Sequence, residues 1–304
     1  MPSKILGKPE SHSDVINREP RTLLLGYGWV GQHVHRYFKN ADYFTLDTGL
    51  CDKNNNKLIV NKPRRSGKVW DLAFISVPSP MLPDGSCDTS IVESCVKKWR
   101  KFVDLFIIRS TVTPGTTDYL AKRYKVRIVM QPEYIGETLA HPMLEPSREI
   151  FVILGGRPED TALAAYYWQL VLHPNSRIRE VSGKTAEVCK YMENSFLGIK
   201  VSFVNEFAAV ARKMGIDFNI LREAWLDDPR IGRSHTFAYP HNPGFSGKCL
   251  PKDINSIVHY SRNVVGRPMK LMESVLKINA EVRKEIATSV PLLPSKKEVR
   301  KWRL

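Results

Sequence analysis

Cys249 stands in the run Gly244-Phe245-Ser246-Gly247-Lys248-Cys249-Leu250-Pro251-Lys252-Asp253, where a glycine-containing loop leads into helix-period apolar positions at Ile254, Ile257 and Val258. Pro251 suits a first helical turn, where its missing N–H costs nothing. The thiol is therefore expected at a helix N-terminus. There the dipole, the N–H groups of the first turn and the charges of Lys248 and Lys252 would favour the thiolate and lower the pKa below that of an ordinary cysteine. Asp253, four positions on, would share the helical face of the sulfur. A nucleophile beside a carboxylate that can take a proton or orient water is an arrangement for covalent catalysis. The alternative is that Cys249 is a small buried hydrophobe.

Lys190 and Asn194 form a second pair, four apart on a predicted helix from Thr185 to Met214. An ammonium and an amide projecting from one face can stabilise a developing oxyanion. The competing reading is an ordinary solvated face.

The third feature is Gly26-Tyr27-Gly28-Trp29-Val30-Gly31, directly after the apolar run Thr22-Leu23-Leu24-Leu25 and before a helical stretch from Gln32 to Phe38. Gly26 permits a tight turn, Gly28 lets backbone approach a pyrophosphate, and Gly31 lets the next helix pack closely with its N-terminus toward the phosphates. A second strand, Tyr43 to Leu46, ends in Asp47, about 20 positions past the first glycine, where an acid takes the ribose hydroxyls of NAD and repels a 2′-phosphate. Together these predict NAD binding.

These groups need a scaffold. Unbroken apolar runs at Leu72 to Val77, Leu105 to Ile108, Arg127 to Met130 and Ile150 to Leu154 read as further parallel-type strands. Each precedes a loop rich in Pro, Ser, Thr or Gly, of the kind that forms the ligand crevice of an open α/β sheet. After Val181 the pattern turns helical, over Thr185 to Met214, Ile220 to Leu226, Asp253 to Ser261 and Met269 to Val290. The expected architecture is α/β: a polar segment over 1–20, a Rossmann-type, doubly wound parallel sheet over 21–180, and an all-helical dimerisation domain over 181–304.

The composition, 42% hydrophobic and 25% charged over 304 residues, is that of a soluble two-domain chain. No apolar run reaches the length of a membrane span, and the polar start holds no signal-peptide core, so a cytoplasmic protein without membrane contact is expected. Five cysteines with no CxxC or Cys/His spacing point to neither a disulfide framework nor a metal site. The net charge of +15 is dispersed, without aromatic interleaving, which reads as a solvated face rather than a nucleic-acid platform.

Taken together the blocks resemble the nucleotide-sugar 6-dehydrogenases of the UDP-glucose and GDP-mannose dehydrogenase type. The likeness runs through Gly26 to Gly31, Val77-Pro78-Ser79-Pro80, Asp84-Gly85-Ser86, Ser110 to Thr117, Pro132-Glu133-Tyr134-Ile135-Gly136-Glu137, Lys190 with Asn194, Arg230-Ile231-Gly232 and the Cys249 motif, in that order. It implies NAD-dependent oxidation of a primary alcohol, of UDP-glucose or a close relative, through an aldehyde to a carboxylate. It further implies that Glu133 and Asp253 move protons and position water, and that Asp47, Val77, Pro78, Ser110, Thr111 and Glu137 surround NAD beside Gly26, Tyr27, Gly28, Trp29, Val30 and Gly31. Gly244, Phe245 and Gly247 would meet the sugar nucleotide. Arg230 would reach the substrate diphosphate of a neighbouring subunit, and Met269 to Val290 would serve a homodimer, although simple intramolecular packing suits that helix too.

Two departures accompany the resemblance. The stretch after Asn279 holds no βαβ unit, whereas the family continues into a second nucleotide-binding domain, and the segment between Asp47 and Asp71 is short and polar. Ser246 and Lys248 stand where glycine and serine are more usual. A β-hydroxyacid dehydrogenase would share the two-domain plan and the Lys-xxx-Asn pair but performs one oxidation without a cysteine, so the Cys249 motif argues against it. A non-catalytic NAD-binding scaffold, or half of a two-chain dehydrogenase, is the remaining alternative.

Overall fold

A computed structural model of the chain describes residues 19–45, 49–51, 67–135 and 151–289. The expected NAD ligands Asp47 and Glu137, and the polar run 53–57, lie outside the described residues.

Among the described residues eight strands form one sheet in the order β3-β2-β1-β4-β5-β6-β7-β8. β1 (Thr22–Leu25), β2 (Asp42–Thr45), β4 (Trp70–Ile75), β5 (Val103–Ile108) and β6 (Arg127–Met130) run parallel, and β3 (Gly49–Cys51) lies antiparallel on β2. α1 (Trp29–Tyr37), α2 (Ser90–Trp99) and α3 (Thr116–Tyr124) are the crossovers. The central strands β1, β4 and β5 are mostly apolar because both faces are covered. Leu24, Leu72, Phe74, Leu105 and Ile107 pack with Val34 of α1, with Phe38 just after it and with Trp168 of α4 (Pro158–Gln169). The alternate residues Leu23, Leu25, Ala73, Ile75, Phe106 and Ile108 are equally buried, as a side-chain period of two requires.

One strand expectation needs correction, and the edge strand β8 was not expected. β7 (Phe151–Gly155) was expected to run parallel but lies antiparallel to β6, and it pairs in parallel only with β8 (Arg177–Val181). Orientation is set by the route of the preceding connection, which the apolar run itself does not encode. β8 escaped notice because its residues are polar and mostly exposed, as on a sheet edge.

Helices follow: α5 (Gly183–Lys213), α6 (Phe218–Trp225), α7 (Leu250–Tyr260), a π-turn over Ser261–Val265, and α8 (Lys270–Ser289). Among the described residues no helix is long and apolar enough to cross a membrane. Contacts divide the chain into two compact units, and the division is not a single cut. The first holds 1–78, 91–110 and 117–186; the second holds 187–304 together with the loops 79–90 and 111–116. Those loops leave the carboxyl ends of β4 and β5 and belong to the helical unit because they pack on its helices.

The core of the second unit joins Phe245, Ile254, Met272 and Val275. Gly198 lets α5 and α7 approach closely, since a Cβ there would sit 2.4 Å from the Cδ1 of Ile254. That glycine lies one turn past Asn194, and Ile254 follows Asp253, so the contact brings two candidate site residues within reach of each other.

Candidate active site

In the first unit the glycine loop behaves as the fingerprint requires. A Cβ on Gly26 would lie 2.4 Å from the Ser76 carbonyl oxygen, and one on Gly31 would lie 2.2 Å from that of Gly26. A Cβ on Gly28 would meet nothing within 4 Å. Two glycines are thus closed by packing, while the third faces open space at the start of α1, where no side chain caps the helix. This fits a diphosphate on the backbone N–H groups of a helix N-terminus. The Tyr27 ring stacks on Tyr43 at 4.1 Å, and its hydroxyl pairs with Nδ1 of His35 at 2.5 Å, which fixes the loop against β2. Trp29 is exposed and Val30 half-buried at the first turn.

At the ends of β4 and β5, Val77 is half-buried and Pro78 exposed, and the Ser110 hydroxyl donates to the Val77 carbonyl at 2.6 Å. Ser110 therefore shapes the crevice by holding its two walls together. Glu133 lies beyond β6 in this unit, and its carboxylate accepts the N–H of Ile135 at 2.9 Å.

In the second unit Cys249 is the exposed N-cap of α7, with Pro251 in the first turn, as the residue pattern requires. Asp253 is 1% exposed and its N–H closes the first helical bond onto the Cys249 carbonyl at 2.9 Å. Burying an ionised carboxylate costs several kcal/mol unless it is paired and hydrogen-bonded. Asp253 has three such partners. Its Oδ2 accepts from the Asn194 amide at 2.5 Å and from the Thr111 hydroxyl at 3.4 Å, and its Oδ1 meets the Lys252 ammonium at 2.5 Å. The Lys252 contact is ionic, since neither atom makes a hydrogen bond of regular geometry. Lys252, expected to lend its charge to Cys249, is instead engaged by Asp253.

Lys190 and Asn194 are 6% and 5% exposed, which removes the solvated-face reading of this pair. The sequence reading missed their companions on the same face of α5, Glu187 and Tyr191, both buried. The spacing of Glu187, three before Lys190, was the available signal. Burial is the main cause that drives the Tyr191 phenol far above its ordinary pKa, and the charges of Cys87 and Asp253 add to it. Burial likewise raises the Cys87 thiol, against the pull of Lys252. Thr111, assigned by resemblance to the cofactor, turns its hydroxyl to Asp253.

The loop before Cys249 is held by a residue that the sequence reading did not single out. Asn279 of α8 brackets Phe245, accepting its N–H at 2.7 Å and donating to its carbonyl at 3.1 Å. Phe245 is a core side chain, so any contact of that residue with substrate falls to its backbone. Gly244 packs against the Asn279 amide, and Gly247 is exposed. Arg230 is 86% exposed at the side chain and grips Asp228 through Nε and Nη2. Among the described residues no cluster of His, Cys, Asp and Glu could hold a metal.

Residues 45–170 match the NAD binding domain of the UDP-glucose/GDP-mannose dehydrogenase family, and residues 184–281 match its central domain. The chain belongs to that family, and NAD is the cofactor of its first domain. A UDP-glucose 6-dehydrogenase of Rickettsia prowazekii is 32% identical over 220 residues, covering 69% of this chain and 49% of the relative. The UDP-glucose 6-dehydrogenase TuaD of Bacillus subtilis is 27% identical over 269 residues, covering 83% of this chain and 56% of the relative. The chain spans about half the length of the curated relatives it matches. A solved UDP-glucose dehydrogenase from the hyperthermophilic archaeon Pyrobaculum islandicum shares the fold, with a TM-score of 0.72 at 24% identity, over 87% of this chain and 68% of that one.

Proposed function

We propose that the chain oxidises the C6 alcohol of a nucleotide sugar, UDP-glucose or a close relative, to the carboxylate through a covalent intermediate on Cys249. The observation that carries this reading is the thiol at the start of α7, one turn ahead of a buried Asp253 that is bound to Asn194 in the family's central domain. NAD, when bound, accepts a hydride. The alcohol passes its hydroxyl proton to water held by the Asp253 carboxylate as the C–H hydride leaves, and an aldehyde results. The Cys249 thiolate adds to the aldehyde carbon, forming a C–S bond and an alkoxide, because a hydride leaves an aldehyde carbon readily only after a nucleophile has added. The Lys190 ammonium and Asn194 amide stabilise that alkoxide. An amide carries two N–H donors, so holding Asp253 leaves one for the substrate oxygen. Loss of a second hydride, for which a second molecule of NAD is the acceptor, gives a thioester. Water, oriented by Asp253 and by Glu133 as proton acceptor, cleaves the C–S bond, releasing the acid and restoring the thiol.

Asp47 would select NAD over its 2′-phosphorylated form by like charge, and Arg230 would bind substrate diphosphate. We assign the homodimer surface to α5. Met192, Phe196, Phe203, Phe207 and Val210 are all exposed at helical spacing along it, with exposed Met214 just past its end, a stripe of a kind that soluble monomers rarely show. α8, nominated from sequence, turns Met272 and Val275 into its own unit's core, as intramolecular packing would have it.

The experiment is titration of purified protein with NAD and a panel of nucleotide sugars, following absorbance of the reduced cofactor. Turnover with a UDP-sugar supports the reading. NAD binding without turnover at millimolar sugar nucleotide points to the non-catalytic or two-chain alternative.

A further inference from the structure

The reaction above leaves the fully buried carboxylate of Glu187 unused. Glu187 is 0% exposed on α5, with Lys190, Tyr191 and Asn194 on the same buried face at 6%, 1% and 5%. An apolar residue would fill that space at lower cost, since a carboxylate must be desolvated and then hydrogen-bonded. Its Oε2 accepts the N–H of Gly115 at 2.5 Å. Gly115 adopts φ +97°, and the turn containing it closes on itself through Thr116, whose hydroxyl donates to the Thr113 carbonyl at 2.6 Å. That turn ends the short loop that begins at Thr111, and Thr111 donates to Asp253.

The contacts close a ring within the second unit. From Glu187 of α5 the path runs to Gly115, along the loop to Thr111, across to Asp253 of α7, and back to α5 through Asn194. Every link is a hydrogen bond or a short stretch of chain. α5 therefore holds Asp253 twice, once directly and once through the loop. Removing the Glu187 link leaves the Thr111 end of the loop tethered by its own hydroxyl, by the Cys87 thiol that donates to its carbonyl at 3.6 Å, and by packing. Asp253 would then keep its amide donor and lose the register of its hydroxyl donor.

We propose that Glu187 is a positioning residue: it fixes the Thr111 loop on α5 by accepting the Gly115 N–H, and so sets the geometry of the Asp253 carboxylate beside Cys249. The inference rests on the Cys249 reading for its effect on turnover, while the ring itself can be tested without turnover. The acceptor atom, rather than the charge, is what the role requires. Glutamine keeps an oxygen at the same reach, whereas aspartate keeps the charge and falls short by one methylene.

The test compares Glu187→Gln, Glu187→Asp and Glu187→Ala with the unmodified chain by steady-state kinetics with NAD and UDP-glucose, and by hydrogen exchange of the segment 111–116. Glu187→Asp is expected to lower kcat about 10- to 100-fold, the loss that follows an ångström-scale misplacement of a reacting group, with KM and NAD affinity little changed. Glu187→Gln should stay close to the unmodified chain. Exchange in 111–116 should rise in the aspartate and alanine variants, while β5 keeps its protection. Aspartate equal to or better than glutamine would overturn the role, as would loss of KM and kcat together in the glutamine variant. If the unmodified chain oxidises no nucleotide sugar, the Cys249 reading fails. The exchange order then decides the ring alone: unchanged exchange in the aspartate variant overturns it, and a rise supports it.

Discussion

Asn194 and Asp253, 59 positions apart, meet through a 2.5 Å hydrogen bond in which the amide donates to the carboxylate. The bond joins α5 to α7 and gives a buried acid one of its partners. Asn194→Ala should therefore destabilise the protein by about 1–3 kcal/mol, the usual cost of leaving a buried group short of a partner. Asn194→Asp should cost more, because two carboxylates would face each other. Denaturant unfolding at neutral pH measures both, and an alanine variant as stable as the unmodified chain would contradict the bond.

Thiol reactivity should follow exposure and burial. Burial, only partly opposed by Lys98, pushes Cys95 up to about 11. At pH 8 such a thiol is about one part in a thousand thiolate, because each unit below the pKa costs a factor of ten. Iodoacetamide should accordingly label Cys249 first. Cys95 should begin to react only as pH rises toward its folded value, where the thiolate form appears. Peptide mass spectrometry showing Cys87 or Cys95 labelled as fast as Cys249 at pH 8 would contradict the assignment.

The three glycines of the dinucleotide loop should separate folding from binding. Gly26→Ala and Gly31→Ala bring Cβ atoms within 2.4 and 2.2 Å of carbonyl oxygens, so both should lower the melting temperature. Gly28→Ala has open space and an ordinary backbone angle, so stability should hold while NAD affinity falls about tenfold or more, the backbone being kept off the diphosphate. Calorimetry and thermal melts on the three variants check this. Undiminished NAD binding by Gly28→Ala would be the contrary result.

What the residues made legible was local. The run from Thr22 to Gly31 carries strand, turn and helix start within ten positions, and Pro251 marks the start of α7 next to Cys249. Non-local facts stayed hidden. The orientation of β7 depends on the connection that precedes it, and β8 is too polar to register as a strand. Lys190 and Asn194 could have lain on a wet face until Gly198 brought Ile254 against α5. The bond from Thr111 to Asp253 was equally hidden, since the loop that carries Thr111 packs with the helical unit rather than with the strands it connects.

The apolar stripe of α5 should hold two copies together. Replacing Phe207 and Val210 with glutamate would place charge in that contact and shift the mass seen by light scattering from dimer to monomer. Both side chains are exposed, so folding should survive. A monomeric unmodified chain, or a double variant that stays dimeric, would contradict the surface.

The covalent role of Cys249 is tested most directly by reacting the protein with NAD and UDP-glucose, quenching in acid, and weighing the peptide that contains Cys249 while counting reduced cofactor against acid formed. Two reduced cofactors per carboxylate, a sugar-nucleotide adduct on that peptide, and no acid from Cys249→Ser although NAD still binds are the expected results. Acid production by Cys249→Ser at the unmodified rate would contradict it.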